Sequence, residues 1–182
     1  AVCRAAGLEW TVVESVPVHE AIKLAGPERD RYIEAYATTL KRLGEAGVRA
    51  LCYNFQPLLG RMRTDFDYRL PDGSSVVSYS QAELDAIDLS EGLPKLPAWP
   101  QAYTAAELQA MFDRYAGVTD EEFLARFHYF IQAVAPVAEA AGVDLAIHPD
   151  DPPWRIFGLP RIVGSEAGLA AIPACSDSPA HG

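Results

Sequence analysis

The most informative segment of the chain runs from an apolar stretch into a histidine and an acidic, proline-rich loop: Val143-Asp144-Leu145-Ala146-Ile147-His148-Pro149-Asp150-Asp151-Pro152-Pro153-Trp154. The apolar run predicts a buried strand, and the prolines around two aspartates predict a rigid turn. A neutral imidazole at the end of such a strand can bind a divalent metal, with the carboxylates as ligands or proton carriers. A hydrogen-bonded structural histidine is the plain alternative.

The segment before this strand, Ala140-Ala141-Gly142, is one of three similar helix endings. Ala5-Ala6-Gly7 leads into an apolar run that ends at Glu14, and Glu45-Ala46-Gly47 leads into a second run that ends at Asn54. Glycine suits the left-handed position after the last turn of a helix. We therefore predict three helix-to-strand units, with strands apolar enough for a parallel sheet covered on both faces.

Each predicted strand ends in a polar side chain, namely Glu14, Asn54 and His148. In barrels of alternating strands and helices the C-terminal strand ends hold the chemistry, so we expect these three residues to converge at one mouth. The plain alternative is that strands generally end in polar residues. Residues of three chemically useful types favour a shared site.

Residues at about 56–118 interrupt this alternation, and we interpret them as an insertion into a single domain that spans 1–182. A turn sequence at 71–74 between two short β-type runs predicts a hairpin, and Ser80 and Thr104 each begin a capping box. Because the insertion follows the C-terminal end of a strand, we expect it to cover the mouth as a lid or to form a subunit contact. Arg63 and Asp65 are its candidates for reaching a substrate.

The last third of the chain predicts a long helix capped by Thr119, in which Pro136 implies a kink or a break. After the His148 loop, residues 156–162 are expected to return along the surface to a short helix from about Ser165. A further strand is expected to begin near 177–182.

Composition limits the function classes. The chain has 182 residues, 49% of them hydrophobic, a formal net charge of -10 and scattered basic residues, which fits one globular domain and argues against nucleic acid or an anionic membrane as a partner. No apolar run approaches the ~20 residues that span a bilayer, and no signal-peptide order is present, so we expect a cytoplasmic protein. Three cysteines without CxxC spacing do not indicate a disulfide framework.

The chain resembles the mannonate dehydratase family in several blocks that occur in the family's order along essentially its whole length. The blocks are Val13-Glu14-Ser15-Val16-Pro17-Val18-His19-Glu20, Cys52-Tyr53-Asn54-Phe55, Arg63-Thr64-Asp65, the segment His148–Trp154, Ile156-Phe157-Gly158-Leu159-Pro160-Arg161 and Asp177-Ser178-Pro179.

The resemblance implies an α/β fold, a (β/α)8 TIM barrel of the xylose-isomerase-like type. About three βα units of it would be present here, without the N-terminal strand region and the C-terminal half. It implies a lyase that dehydrates D-mannonate, a small sugar acid, to 2-keto-3-deoxy-D-gluconate with Mn²⁺ or Fe²⁺, in hexuronate (glucuronate) catabolism. His148 matches the family's first metal ligand, and the other ligands would lie beyond Gly182. A homo-oligomer of the full-length protein is compatible with this reading.

Further roles are assigned from position alone. Glu14, Asn54 and Arg63 are candidates for binding the polyol and its carboxylate, and Asp150 or Asp151 for holding His148 or relaying protons. A sugar isomerase or epimerase on the same barrel is the enzymatic alternative. The other alternative is an inactive fragment, and we expect the 182 residues alone to be inactive because three strands cannot close an eight-stranded barrel.

Overall fold

The computed structural model of the protein describes residues 2–88 and 104–182. The helices are α1 (Val2–Ala5), α2 (Glu20–Lys23), α3 (Arg29–Ala46), α4 (Gln81–Asp85), α5 (Ala105–Tyr115), α6 (Asp120–Ala141) and α7 (Glu166–Ala171). The strands are β1 (Val12–Glu14), β2 (Ala50–Tyr53), β3 (Asp65–Arg69), β4 (Ser75–Ser78) and β5 (Asp144–Ile147), and a 3-10 turn follows α7 at Pro173–Cys175.

The chain divides into two compact units, Ala1–Pro57 with Val118–Gly182, and Leu58–Gly117. The first unit holds the parallel sheet and its helices. The second holds β3, β4, α4 and α5, and the part of the predicted insertion at 89–103 lies outside the described residues. The assignment of 1–182 to one domain with an inserted lid stays a prediction.

The three predicted helix-to-strand units are present in the first unit. Gly7, Gly47 and Gly142 all have left-handed backbone, with φ values of 72°, 92° and 66°. The N–H groups of Gly142 and of the next residue, Val143, bond the last carbonyls of α6, which ends the helix and turns the chain toward β5. The glycine pattern in the sequence thus located the three turns correctly.

The sheet is parallel, and its strand order β1-β2-β5 is the order of the strands along the chain. Leu145 of β5 forms a further parallel bridge with His181, through hydrogen bonds of 2.7 Å from the Leu145 N–H to the Ala180 carbonyl and 3.1 Å from the Gly182 N–H to the Leu145 carbonyl. Residues 180–182 therefore pair with β5 through an isolated bridge, at the place where the sequence predicts a further strand. The α/β class is confirmed.

Helices α3 and α6 cover one face of this sheet. Leu51, Tyr53 and Leu145 point into that layer and are almost fully buried, against an aromatic cluster on α6 made of Phe123, Phe127 and Phe130. The helices approach closely where Gly44 meets Ala141, because a Cβ at Gly44 would collide with the Ala141 carbonyl. Burial of this cluster is the main source of stability in the unit.

The opposite face of the sheet is only partly covered within the described residues. Val12 is 61% exposed, Asp144 and Ala146 are exposed, and Ala50 and Cys52 are intermediate. The expectation of strands covered on both faces is therefore not met here, because the side chains alternate and all of the helices that pack on this sheet lie on one side.

Helix α6 does not break at Pro136 but continues to Ala141, and a kink at Pro136 stays a prediction. A further expectation from the sequence was wrong. Residues 156–162 do not run along the surface, because Ile156, Leu159 and Ile162 are buried.

The second unit contains the predicted hairpin. Strands β3 and β4 pair antiparallel with Asp65 opposite Ser78 and Tyr68 opposite Val76. Ser80 caps α4, and Thr104 forms a full capping box with Glu107 at the start of α5. Among the residues of both units that the structure describes, no helix is long and apolar enough to cross a membrane.

One buried polar contact joins the side chain of His181 to the sheet. The Tyr53 hydroxyl lies 3.1 Å from Nε2 of His181, and both side chains are buried. Burial raises the pKa of the Tyr53 hydroxyl and lowers the pKa of His181, so both groups stay neutral near neutral pH. The pair is thus a neutral hydrogen bond inside the helix-covered layer.

We expect Tyr53→Phe to lower the free energy of unfolding by about 1–3 kcal/mol, because a buried polar atom without its partner retains its desolvation cost. Tyr129→Phe is the matched control, since its hydroxyl bonds Asp30 at the surface, and it should change stability by less than about 0.5 kcal/mol. Urea unfolding of both variants checks this. Equal losses would show that the buried pair has no special weight.

Candidate active site at the strand ends

The predicted site residues Glu14, Asn54 and His148 lie at one edge of the sheet. In the parallel register Glu14 is opposite Cys52, and Tyr53 is opposite Ile147, so Asn54 and His148 directly follow paired residues. The His148 N–H donates to the Tyr53 carbonyl at 2.8 Å and extends the pairing by one residue. The three strand ends therefore face the same side of the first unit.

His148 is partly exposed, and the orientation of its ring is set by the next residue. Its Nδ1 lies 2.6 Å from the Pro149 carbonyl oxygen, which also accepts from Nε2 of Gln56 at 3.0 Å. A carbonyl oxygen can only accept, so Nδ1 carries a proton, and in the neutral ring Nε2 holds the lone pair. Histidines that bind metals are commonly held in this way by a second hydrogen bond.

The donor set within the described residues is small. In residues 2–88 and 104–182 no group of three histidine, cysteine, aspartate or glutamate side chains could hold a metal ion. The Nε2 lone pair of His148 fits one ligand position for a divalent transition metal. The structure thus fits His148 as a single contributor to such a site.

Asp150 has a different setting from the one expected. Its carboxylate is buried, and Oδ2 accepts from the backbone N–H groups of Ile162 and Val163 at 2.9 and 2.7 Å. The Asp150 N–H returns a bond to the Val163 carbonyl at 3.2 Å. Burial raises the pKa of Asp150, while these N–H groups and Arg161 oppose the increase.

The Asp150 carboxylate therefore joins the two ends of the loop from 150 to 163 by hydrogen bonds. No hydrogen bond joins it to His148 in the described part of the chain, and the assignment of Asp150 or Asp151 to holding the imidazole stays a prediction. Asp151 is partly exposed and has contacts of its own. The role of either aspartate in proton transfer stays a prediction.

A second anchor of this loop was not found from the sequence. Oδ1 of Asp120, in the first turn of α6, accepts from the Arg161 N–H at 2.9 Å and pairs with the Arg155 guanidinium at 2.8 Å. Arg161 is buried and donates through Nε to the Trp154 carbonyl at 3.3 Å. The sequence signal for this anchor was the acidic first turn after Thr119, which by itself indicates only a helix start.

The hydroxyl of Ser15, which directly follows β1, lies close to both Asn54 and Glu14. Nδ2 of Asn54 lies 3.5 Å from the Ser15 hydroxyl, and that hydroxyl lies 3.4 Å from a Glu14 carboxylate oxygen. The Asn54 Oδ1 atom is buried and has no hydrogen-bond partner among the described residues. A buried acceptor without a donor is unusual and marks this corner as a candidate ligand contact.

Arg63 belongs to the second unit. Its guanidinium donates to the carbonyl of the preceding Met62 at 2.8 Å, and it makes further contacts. The assignment of Arg63 to the substrate carboxylate stays a prediction.

Comparisons with known proteins agree on one family. The model of the D-mannonate dehydratase (UxuA) family matches residues 1–182. Mannonate dehydratase 2 of Halalkalibacterium halodurans is 44% identical over 97% of this chain and 51% of the relative, and the Streptococcus equi subsp. zooepidemicus mannonate dehydratase is 44% identical over 98% of this chain and 49% of the relative. The chain thus spans about half the length of these curated relatives.

A solved structure is also similar. The crystal structure of mannonate dehydratase from Streptococcus suis serotype2 superposes with a TM-score of 0.86 and 40% sequence identity, over 98% of this chain and 48% of that one.

The hydrogen bonds accepted by the Asp150 carboxylate lead to a prediction about stability. Asp150→Ala removes the acceptor of two buried N–H groups and should lower the free energy of unfolding by about 2–4 kcal/mol, since one unsatisfied buried donor costs about 1–3 kcal/mol. Asp144→Ala is the control, because Asp144 is an exposed aspartate close by on β5. Denaturant unfolding measures both. A loss of unfolding free energy no larger than that of Asp144→Ala would contradict this role of Asp150.

Proposed function

The chain belongs to the D-mannonate dehydratase family, and from this premise we propose that the protein removes water from D-mannonate to give 2-keto-3-deoxy-D-gluconate. The observation that carries the proposal is the family match across the whole chain, which includes the strand that presents His148. The proposed setting is a cytoplasmic enzyme of hexuronate breakdown.

We propose the (β/α)8 barrel as the fold of this enzyme. Two features support it: the strands lie in the sheet in chain order, and His181 forms a further parallel bridge beside β5. In such a barrel the C-terminal strand ends line the mouth. Glu14, Asn54 and His148 would then face the substrate from three successive strands.

The reaction needs a base, an acid and stabilisation of negative charge. A base takes the proton from C2 beside the carboxylate, and the C3 hydroxyl leaves as water with a proton from an acid. The resulting enol gives up its hydroxyl proton, takes up a proton at C3 and becomes the 2-keto acid. Bound Mn²⁺ or Fe²⁺ would supply positive charge for the carboxylate and the departing hydroxyl.

The residues of this chain divide these tasks. His148 would hold the metal through Nε2, because Nδ1 is engaged with the Pro149 carbonyl. Asn54 and Glu14 would accept hydrogen bonds from substrate hydroxyl groups. Of the two aspartates we favour Asp151 for proton transfer, since it is partly exposed whereas Asp150 is buried and holds the loop.

Product analysis tests this function. The protein, purified as its gene encodes it and supplied with Mn²⁺, should convert D-mannonate into a 2-keto-3-deoxy acid that is lighter by one water in mass spectrometry. His148→Ala should abolish the conversion, whereas His128→Ala should keep it, because His128 is an exposed histidine on α6. A product of unchanged mass would instead indicate an isomerase or epimerase and would overturn the proposal.

A further inference from the structure

Ser15 has an unusual backbone for a residue with a side chain. Its φ is 66°, in the left-handed region that favours glycine. Its N–H donates to the Cys52 carbonyl at 2.9 Å, so the strained residue is held in place by the neighbouring strand β2. Glycine would adopt this conformation at lower cost, and such strain is often found at functional sites.

The hydroxyl of Ser15 connects two strand ends. It lies within hydrogen-bond distance of Oε1 of Glu14, at 3.4 Å, and of Nδ2 of Asn54, at 3.5 Å. Since the Asn54 amide nitrogen faces Ser15, the amide oxygen must point the other way. That oxygen is the buried Oδ1 that has no donor in the part of the chain described by the structure.

A buried amide oxygen without a donor costs free energy, and a hydroxyl group of a bound ligand would remove that cost. Sugar acids carry several such hydroxyl groups. The orientation of the Asn54 amide decides whether its oxygen or its nitrogen is available to a ligand. Ser15 accepts from the nitrogen, which leaves the oxygen available.

We propose that Ser15 is a positioning residue that orients the Asn54 amide to accept a hydrogen bond from a hydroxyl group of a sugar acid. This inference rests on the proposed function for the identity of the ligand. It assigns to Ser15 no contact with the reacting atoms. The competing explanation is that the hydroxyl only ties two strand ends together.

Ser15→Gly separates the two explanations. It removes the hydroxyl and relieves the left-handed strain, so the variant should be at least as stable as the wild type. The KM for D-mannonate should nevertheless rise about 3- to 10-fold, the equivalent of one net hydrogen bond. Ser15→Ala should raise KM equally but be less stable than Ser15→Gly, because it keeps the left-handed strain that glycine relieves.

A double-mutant cycle adds a second criterion. In an Asn54→Ala background, Ser15→Gly should change KM by less than about twofold, because the residue it positions is already absent. Unchanged KM in Ser15→Gly, or an independent additive effect in the double variant, would overturn the proposal.

A readout without turnover keeps this test separate from that of the proposed function. The side-chain amide resonances of Asn54 in NMR spectra should shift or broaden in Ser15→Gly and stay in place in Ser74→Gly, an exposed serine of the second unit. If the wild type fails to dehydrate D-mannonate, the proposed function falls, and the NMR result alone decides the role of Ser15. Unperturbed Asn54 resonances in Ser15→Gly would overturn that role.

Discussion

The hydrogen bond from the His148 N–H to the Tyr53 carbonyl determines where β5 ends, and the candidate site depends on that point. It fixes the imidazole one residue beyond the last paired position of the sheet, beside Asn54 on the neighbouring strand. A shift of one residue would turn His148 to the opposite face. The aromatic cluster on α6 supports this register, because Tyr53 packs on Phe127 and Phe130 while Leu51 and Leu145 are buried beside it in the sheet.

Beyond this point the loop is held by side chains that bond to its backbone. The Pro149 carbonyl orients the His148 ring, and the Asp150 carboxylate gathers the N–H groups of Ile162 and Val163. Burial of a carboxylate costs roughly several kcal/mol in lost hydration unless charged or polar partners replace the water. Two backbone donors and the neighbouring Arg161 supply that replacement. The loop is thereby rigid enough to present one imidazole nitrogen in a fixed direction.

Much of the fold could be predicted because local chemistry decides it. Gly7, Gly47 and Gly142 mark the left-handed turns, and Thr104 and Thr119 mark helix starts, since each acts within a few residues. The partner of Asp150 could not be predicted, because Ile162 and Val163 are distant in sequence and contribute only backbone atoms. The left-handed Ser15 was missed for a similar reason. Its conformation is imposed by β2, and no local pattern indicates it. Pro136 shows the converse, where burial overrides a strong local preference.

The most direct test is to determine which nitrogen of His148 binds the metal. Crystals of the protein as its gene encodes it, grown with Mn²⁺ and measured with anomalous scattering, would locate the ion. We expect manganese bonded to Nε2, with Nδ1 still against the Pro149 carbonyl. Manganese bonded to Nδ1, or bound without contact to His148, would contradict this expectation.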